Sequence, residues 1–148
     1  MSRLFQALLS GMFFTFIIDF FLFLGIKQNY IDFYGVHVYY NILFADHQNL
    51  FVFFFFSCII GYLVIYANTK TALITIGLLF LLSFLTLIPP IGKALGEMIL
   101  MKKNVMLTTD KFSYHGDIYY NGRKTITFYD YDLRKVLNLD KNKIKGQY

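Results

Sequence analysis

Residues 4–26 read LFQALLSGMFFTFIIDFFLFLGI, an apolar run broken by one carboxylate, Asp19, among Phe and Ile. A run of about 20 apolar residues matches a bilayer core about 30 Å thick, so a membrane-spanning helix is expected here. A carboxylate in the middle of such a helix costs about 2.5–3.5 kcal/mol on insertion scales, so Asp19 is expected to face protein rather than lipid. Steps of four put Ala7, Gly11, Thr15 and Asp19 on one stripe of the helix. Small residues at that spacing let two backbones come close, which marks a helix-packing or partner-binding seam. Arg3 ahead of the run gives it the look of a signal peptide. The run is too long for one and no small-residue cleavage site follows, so it is expected to be retained.

The rest of the chain shares the bias. Its 148 residues are 57% hydrophobic and its mean hydropathy is +0.51, too apolar for an ordinary soluble domain. The formal charge of +5 comes mostly from cations toward the C-terminal end. The lone Cys58 excludes an intrachain disulfide and lies in an apolar run, so it reads as a small packing residue.

Residues 27–48 mix Tyr30, Tyr34, Tyr39 and Tyr40 with Asp32, His37, Asp46 and His47. Tyrosine favours positions with one end wet and the other apolar, so this Tyr-rich loop is expected along the membrane surface, as a short interfacial helix or strand-like pieces. His37, Asp46 and His47 match no ligand spacing, and no metal is expected.

A second span is expected over residues 49–67, with the phenylalanines from Phe53 to Phe56 as a bulky face and Ser57 and Gly61 as a second small-residue seam. Asn68, Thr69 and Lys70 leave room only for a tight turn, so a third span over 71–88 is expected to return beside the second as an antiparallel hairpin. Thr71, Thr75, Ser83 and Thr86 fall near one face of it, where hydroxyls bond back to their own helix or line a polar path. Pro89 and Pro90 are expected to end it. Residues 91–103 then read as a short amphipathic exit helix, with Lys93, Lys102 and Lys103 placed to touch lipid headgroups.

From Asn104 onward the pattern changes to β. Segments 105–109, 112–120, 123–129 and 134–139 are rich in Thr, Tyr, Phe, Ile and Val, divided by Asp110-Lys111, Asn121-Gly122 and residues 130–132. A small antiparallel β-meander is expected, with a type I′ turn at Asn121-Gly122 and a bulge or close backbone approach at Gly116. The lysine-bearing tail after Leu139 is expected to be loose. A sheet of roughly 40 residues has too little core to stand alone, so it should lean on the membrane surface, another copy or a partner.

The expected fold class is therefore a mainly α membrane protein. Residues 1–103 form a three-helix transmembrane unit and 104–148 a small β-meander tail. Lys27, Lys93, Lys102 and Lys103 flank one side of the spans against Arg3 and Lys70 on the other, which places the tail in the cytoplasm and the spans in the inner membrane. No phosphate loop, dinucleotide fingerprint, zinc-protease helix, C-x-x-C pair or nucleophile elbow is present, so neither enzyme activity nor a cofactor is expected. His115 and Asp117 flank Gly116 and read as turn chemistry, and the tail's alternating charges do not suit nucleic acid. The expected partners are membrane lipids and other integral membrane proteins or copies of the chain. The leading expectation is an accessory, assembly or stabilising subunit of a larger membrane complex, docking through the first helix and the β-tail. The alternatives are an oligomeric channel or transporter component using Asp19 with Thr71, Thr75 and Ser83, and a sensor of anionic lipid surfaces.

Overall fold

The structure is a computed structural model that describes residues 2–109 and 112–145. The Ser2 hydroxyl accepts from the Phe5 amide and caps α1 (Arg3–Ile26), which continues into a single wide π-helical turn, Lys27–Ile31. Together they form one helix, Arg3–Ile31, long and apolar enough to cross a membrane. Four more helices follow: α2 (Tyr40–His47), α3 (Leu50–Tyr66), α4 (Thr69–Leu85) and α5 (Pro89–Leu100). The chain bends by 84° between α2 and α3 and by 89° between α4 and α5; counting each bent pair as one span raises the number of candidate spans to three.

The bends have local causes. Asn49 leaves the helical region and its side-chain oxygen accepts from the Phe51 and Val52 amides, starting α3 afresh after Gln48. Asn68 caps α4 in the same way, accepting from the Thr71 amide. The expected third span over 71–88 is shorter than foreseen, because α4 ends at Leu85 and the two prolines open α5, where a missing N–H is harmless. With 17 residues each, α3 and α4 are about 25 Å long.

Contacts set the helix directions. Gly61 of α3 meets Ala7 of α1 while Gln48, just before α3, meets Asp19, so α3 runs antiparallel to α1. Phe14 meets Phe80 edge to face and Phe21 lies against Phe84, so α4 runs parallel to α1. The two small-residue seams find each other: a Cβ on Gly11 would overlap the Ser57 carbonyl oxygen, and one on Gly61 the Ala7 carbonyl oxygen. The expected α3–α4 hairpin is antiparallel but splayed, since each of its helices packs more closely on α1 than on the other. The small faces are spent on the α1–α3 seam, and a Cβ on Gly77 of α4 would meet nothing.

The C-terminal part is a five-stranded antiparallel sheet in the order β4-β3-β2-β1-β5, with β1 Lys102–Thr109, β2 Ser113–Asn121, β3 Thr125–Asp130, β4 Lys135–Asp140 and β5 Ile144–Lys145. The exit helix ends at Leu100 rather than 103, because Lys102 already pairs with Ile118 as the start of β1. The tail after Leu139 is ordered through Lys145. A 3₁₀ turn, Lys141–Lys143, carries the chain from β4 to β5 at the opposite edge, where Ile144 packs on the core of Leu107, Ile118, Ile126 and Phe128. One short turn linking the two edges curls the sheet toward closure.

The expected type I′ turn at Asn121-Gly122 is absent. Neither residue takes a positive φ, and Gly122 donates to the Thr125 carbonyl across a turn centred on Arg123 and Lys124. Gly116 serves a close approach, since a Cβ there would overlap the Tyr129 carbonyl oxygen. The register shifts fall elsewhere, between Lys102 and Val105 and between Ile118 and Tyr120. The expected turn at Asp110-Lys111 lies outside the described residues, as do the last three of the tail.

The sheet leans on the chain's own helices. Phe23, Ile26, Tyr30, Ile31, Val36, Leu43 and Leu100 from the helical part share one buried cluster with Tyr119 and Tyr120 of β2. Fully buried Tyr30 donates to the Tyr119 carbonyl at 2.7 Å, and a Cβ on Gly96 of α5 would overlap the Tyr30 ring.

Candidate functional site

Because α3 and α4 splay, a groove of about 400 Å³ opens between them with α1 as its floor. Ile18, Leu22, Ile60, Leu79, Leu82 and Leu95 give it apolar walls, while Thr15, Asp19, Ser83 and Thr86 supply its polar atoms. A smaller cavity of about 170 Å³ lies on the other side of Asp19, lined in part by His47, Gln48 and Asn49. Thr15 and Phe56 line both. Asp19 is thus the residue at which an apolar groove and a polar corner meet.

Asp19 is half-buried, and Gln48 Nε2 donates to its Oδ2 at 3.2 Å. Thr15, one turn earlier, is 3% exposed and its hydroxyl has no hydrogen-bond partner among the described residues. A buried polar atom without a partner is unfavourable by about 1–3 kcal/mol, so the pair leaves hydrogen-bonding capacity open in the groove. The other hydroxyls there are engaged. Ser83 donates to the Phe80 carbonyl at 2.9 Å, and Thr86 to the Ser83 carbonyl at 2.6 Å.

Thr86 also anchors the end of the groove. Its carbonyl accepts from the buried Asn29 amide at 2.9 Å, and a Cβ on Gly25 or on Gly92 would overlap its atoms. At the α2–α3 corner three consecutive residues hold three different partners. Asp46 Oδ1 accepts from Arg123 Nε at 2.6 Å and Nη2 at 2.5 Å, the His47 ring lies 5.5 Å from that of Tyr120, and Gln48 reaches Asp19. Burial, with the Asp46 carboxylate nearby, pushes the Tyr120 hydroxyl up to about 12.

The residues singled out from sequence are placed as follows. Ala7, Gly11, Ser57 and Gly61 are buried together in the α1–α3 seam, so the chain itself fills that part of the stripe. Thr15 and Asp19, the other half of it, border the groove. Ser83 shares the groove with Asp19, whereas Thr71 and Thr75 line neither cavity at the acid. Lys93 sits 3.8 Å over the Phe33 ring and 3.9 Å from Glu97, which Tyr34 also bonds, so its ammonium is tied into the surface turn. Lys102 and Lys103 are exposed on β1. His115 and Asp117 belong to an exposed network with Asn104 and Tyr131. Among the described residues no three His, Cys, Asp or Glu side chains are grouped to hold a metal ion.

Gln48 was not singled out by pattern. The signal was its position: an antiparallel return brings the start of α3 to the level of Asp19 near the end of α1. Compared with known proteins, the chain matches no family model, no curated sequence and no solved structure.

Proposed function

We propose that this chain is a small multi-pass inner-membrane subunit that assists, assembles or stabilises a larger membrane complex, and that it docks through the groove between α3 and α4. The observation that carries this reading is the groove itself, an apolar recess among helices with an under-partnered acid and an unpartnered hydroxyl on its floor. Lipid tails offer such a floor no hydrogen bond, whereas a neighbouring protein does. The sheet side, bearing Lys27, Lys93, Lys102 and Lys103, is then cytoplasmic by the excess of cations. The test is extraction from native membranes in mild detergent followed by mass spectrometry. A defined set of co-purifying membrane proteins is expected, and recovery of the chain only as a homo-oligomer contradicts the reading.

A second reading, an oligomeric channel component, is favoured by the smaller cavity that brings His47, Gln48 and Asn49 beside Asp19. It requires that Asp19→Asn reduce ion flux in liposomes, and unchanged flux removes it.

A further inference from the structure

We infer that the groove receives a transmembrane helix of a different protein, one carrying a lysine or arginine side chain that reaches Asp19. This rests on the docking reading above and names the partner's chemistry. Among the described residues, the carboxylate in the groove has a single amide donor, and Thr15 beside it is buried without a hydrogen-bond partner. The hydroxyls of Ser83 and Thr86 already donate to carbonyls of their own helix. An occupant therefore needs an apolar body for the walls and a donor tip for the floor, and a cation is the donor that a carboxylate away from water binds best.

Two other occupants fit less well. A lipid has its donors in the headgroup, and Lys27, at the sheet-side end of α1, is eight residues from Asp19, about 12 Å along the helix. Ile91 and Leu95 of α5 also line the groove, adding apolar surface that gives a headgroup no polar contact. A second copy of this chain has no Lys or Arg within residues 4–26, 50–66 or 71–85, so it cannot bring a cation to that depth. A volume of about 400 Å³ admits side chains rather than a whole helix, so the partner helix lies along the mouth past Leu82 and inserts its cation.

The test places a photo-crosslinking residue at Leu82, which is 53% exposed on the rim, in the full chain in its native membrane, and sequences the adduct. The expected adduct is an apolar segment of another protein containing a lysine or arginine. Its yield should fall about tenfold in Asp19→Asn, the loss of about one charged contact, and survive in Asp19→Glu. Leu79→Trp fills the groove while leaving the acid in place and should give the same loss. Adducts with lipid, with a second copy or with a segment lacking a basic residue overturn the inference, as does no adduct or an undiminished one in both variants. If those failures occur while a defined set of proteins still co-purifies, docking survives at another surface; if the set is also missing, both readings fall.

Discussion

Gly11 and Gly77 are both glycines in the interior of helices, yet their surroundings predict opposite effects of one added methyl group. At Gly11 the new Cβ overlaps the Ser57 backbone, so Gly11→Ala is expected to destabilise by about 1–3 kcal/mol, the usual range for overpacking. At Gly77 it meets nothing, and alanine's better helix propensity should leave Gly77→Ala unchanged or up to about 1 kcal/mol more stable. Thermal melts of the two variants in one detergent check both signs. The stripe at Ala7, Gly11, Thr15 and Asp19 was legible because helical spacing is a property of sequence alone. Which neighbour fills it was not, since the match of Gly11 to Ser57 depends on how the chain returns. The buried tyrosines give a residue-level pH prediction. Burial raises Tyr34, Tyr119 and Tyr120 above their ordinary value of 10.0, Tyr120 to about 12. Raised folded values favour the neutral form, so their stabilisation is complete below pH 10.0 and lost as pH rises toward about 12. Alkaline titration of phenolate absorbance should show a delayed class of tyrosines that ionise together with unfolding; one transition for all at pH 10 contradicts this.

At the scale of elements, the α2–α3 corner positions the site. Asn49 caps α3 and fixes the direction in which Gln48 reaches Asp19. Asn49→Ala should cost about 1 kcal/mol as a lost cap, and should lower the yield of a disulfide engineered between positions 19 and 48 in a Cys58→Ser background. An unchanged yield means the corner is held by other contacts. The helices α3 and α4 were legible as apolar runs, and the prolines marked the break after α4. The right-angle bends were not, because an Asn cap and a Pro–Pro pair specify where a helix starts without specifying where it points. The Asn121-Gly122 signal placed a turn near the right position but not its type, since Arg123 is drawn to Asp46 on α2 and the turn is centred two residues later.

Across the whole molecule, one buried cluster joins the helices to the curled sheet, and Tyr30 donates a buried hydrogen bond across that junction. Tyr30→Phe keeps the ring on Gly96 and removes the donor to the Tyr119 carbonyl, leaving a buried acceptor unpaired. A loss of about 1–3 kcal/mol is expected, with hydrogen exchange rising in β2 more than in α3; an equal rise in both contradicts a local latch. The dependence of a small sheet on outside support was legible from its size, but its support turned out to be the wide turn after α1, which no local pattern announces.

The central claim is that the groove is open in the isolated chain and covered in its native setting. A spin label on Phe56→Cys in a Cys58→Ser background reports it from the groove wall, and one on Ile74→Cys serves as an outward-facing control. Oxygen accessibility at position 56 should be several-fold lower in native membranes than in nanodiscs of the purified protein in the same lipids, with position 74 unchanged. Equal accessibility at position 56 in both preparations would contradict the account.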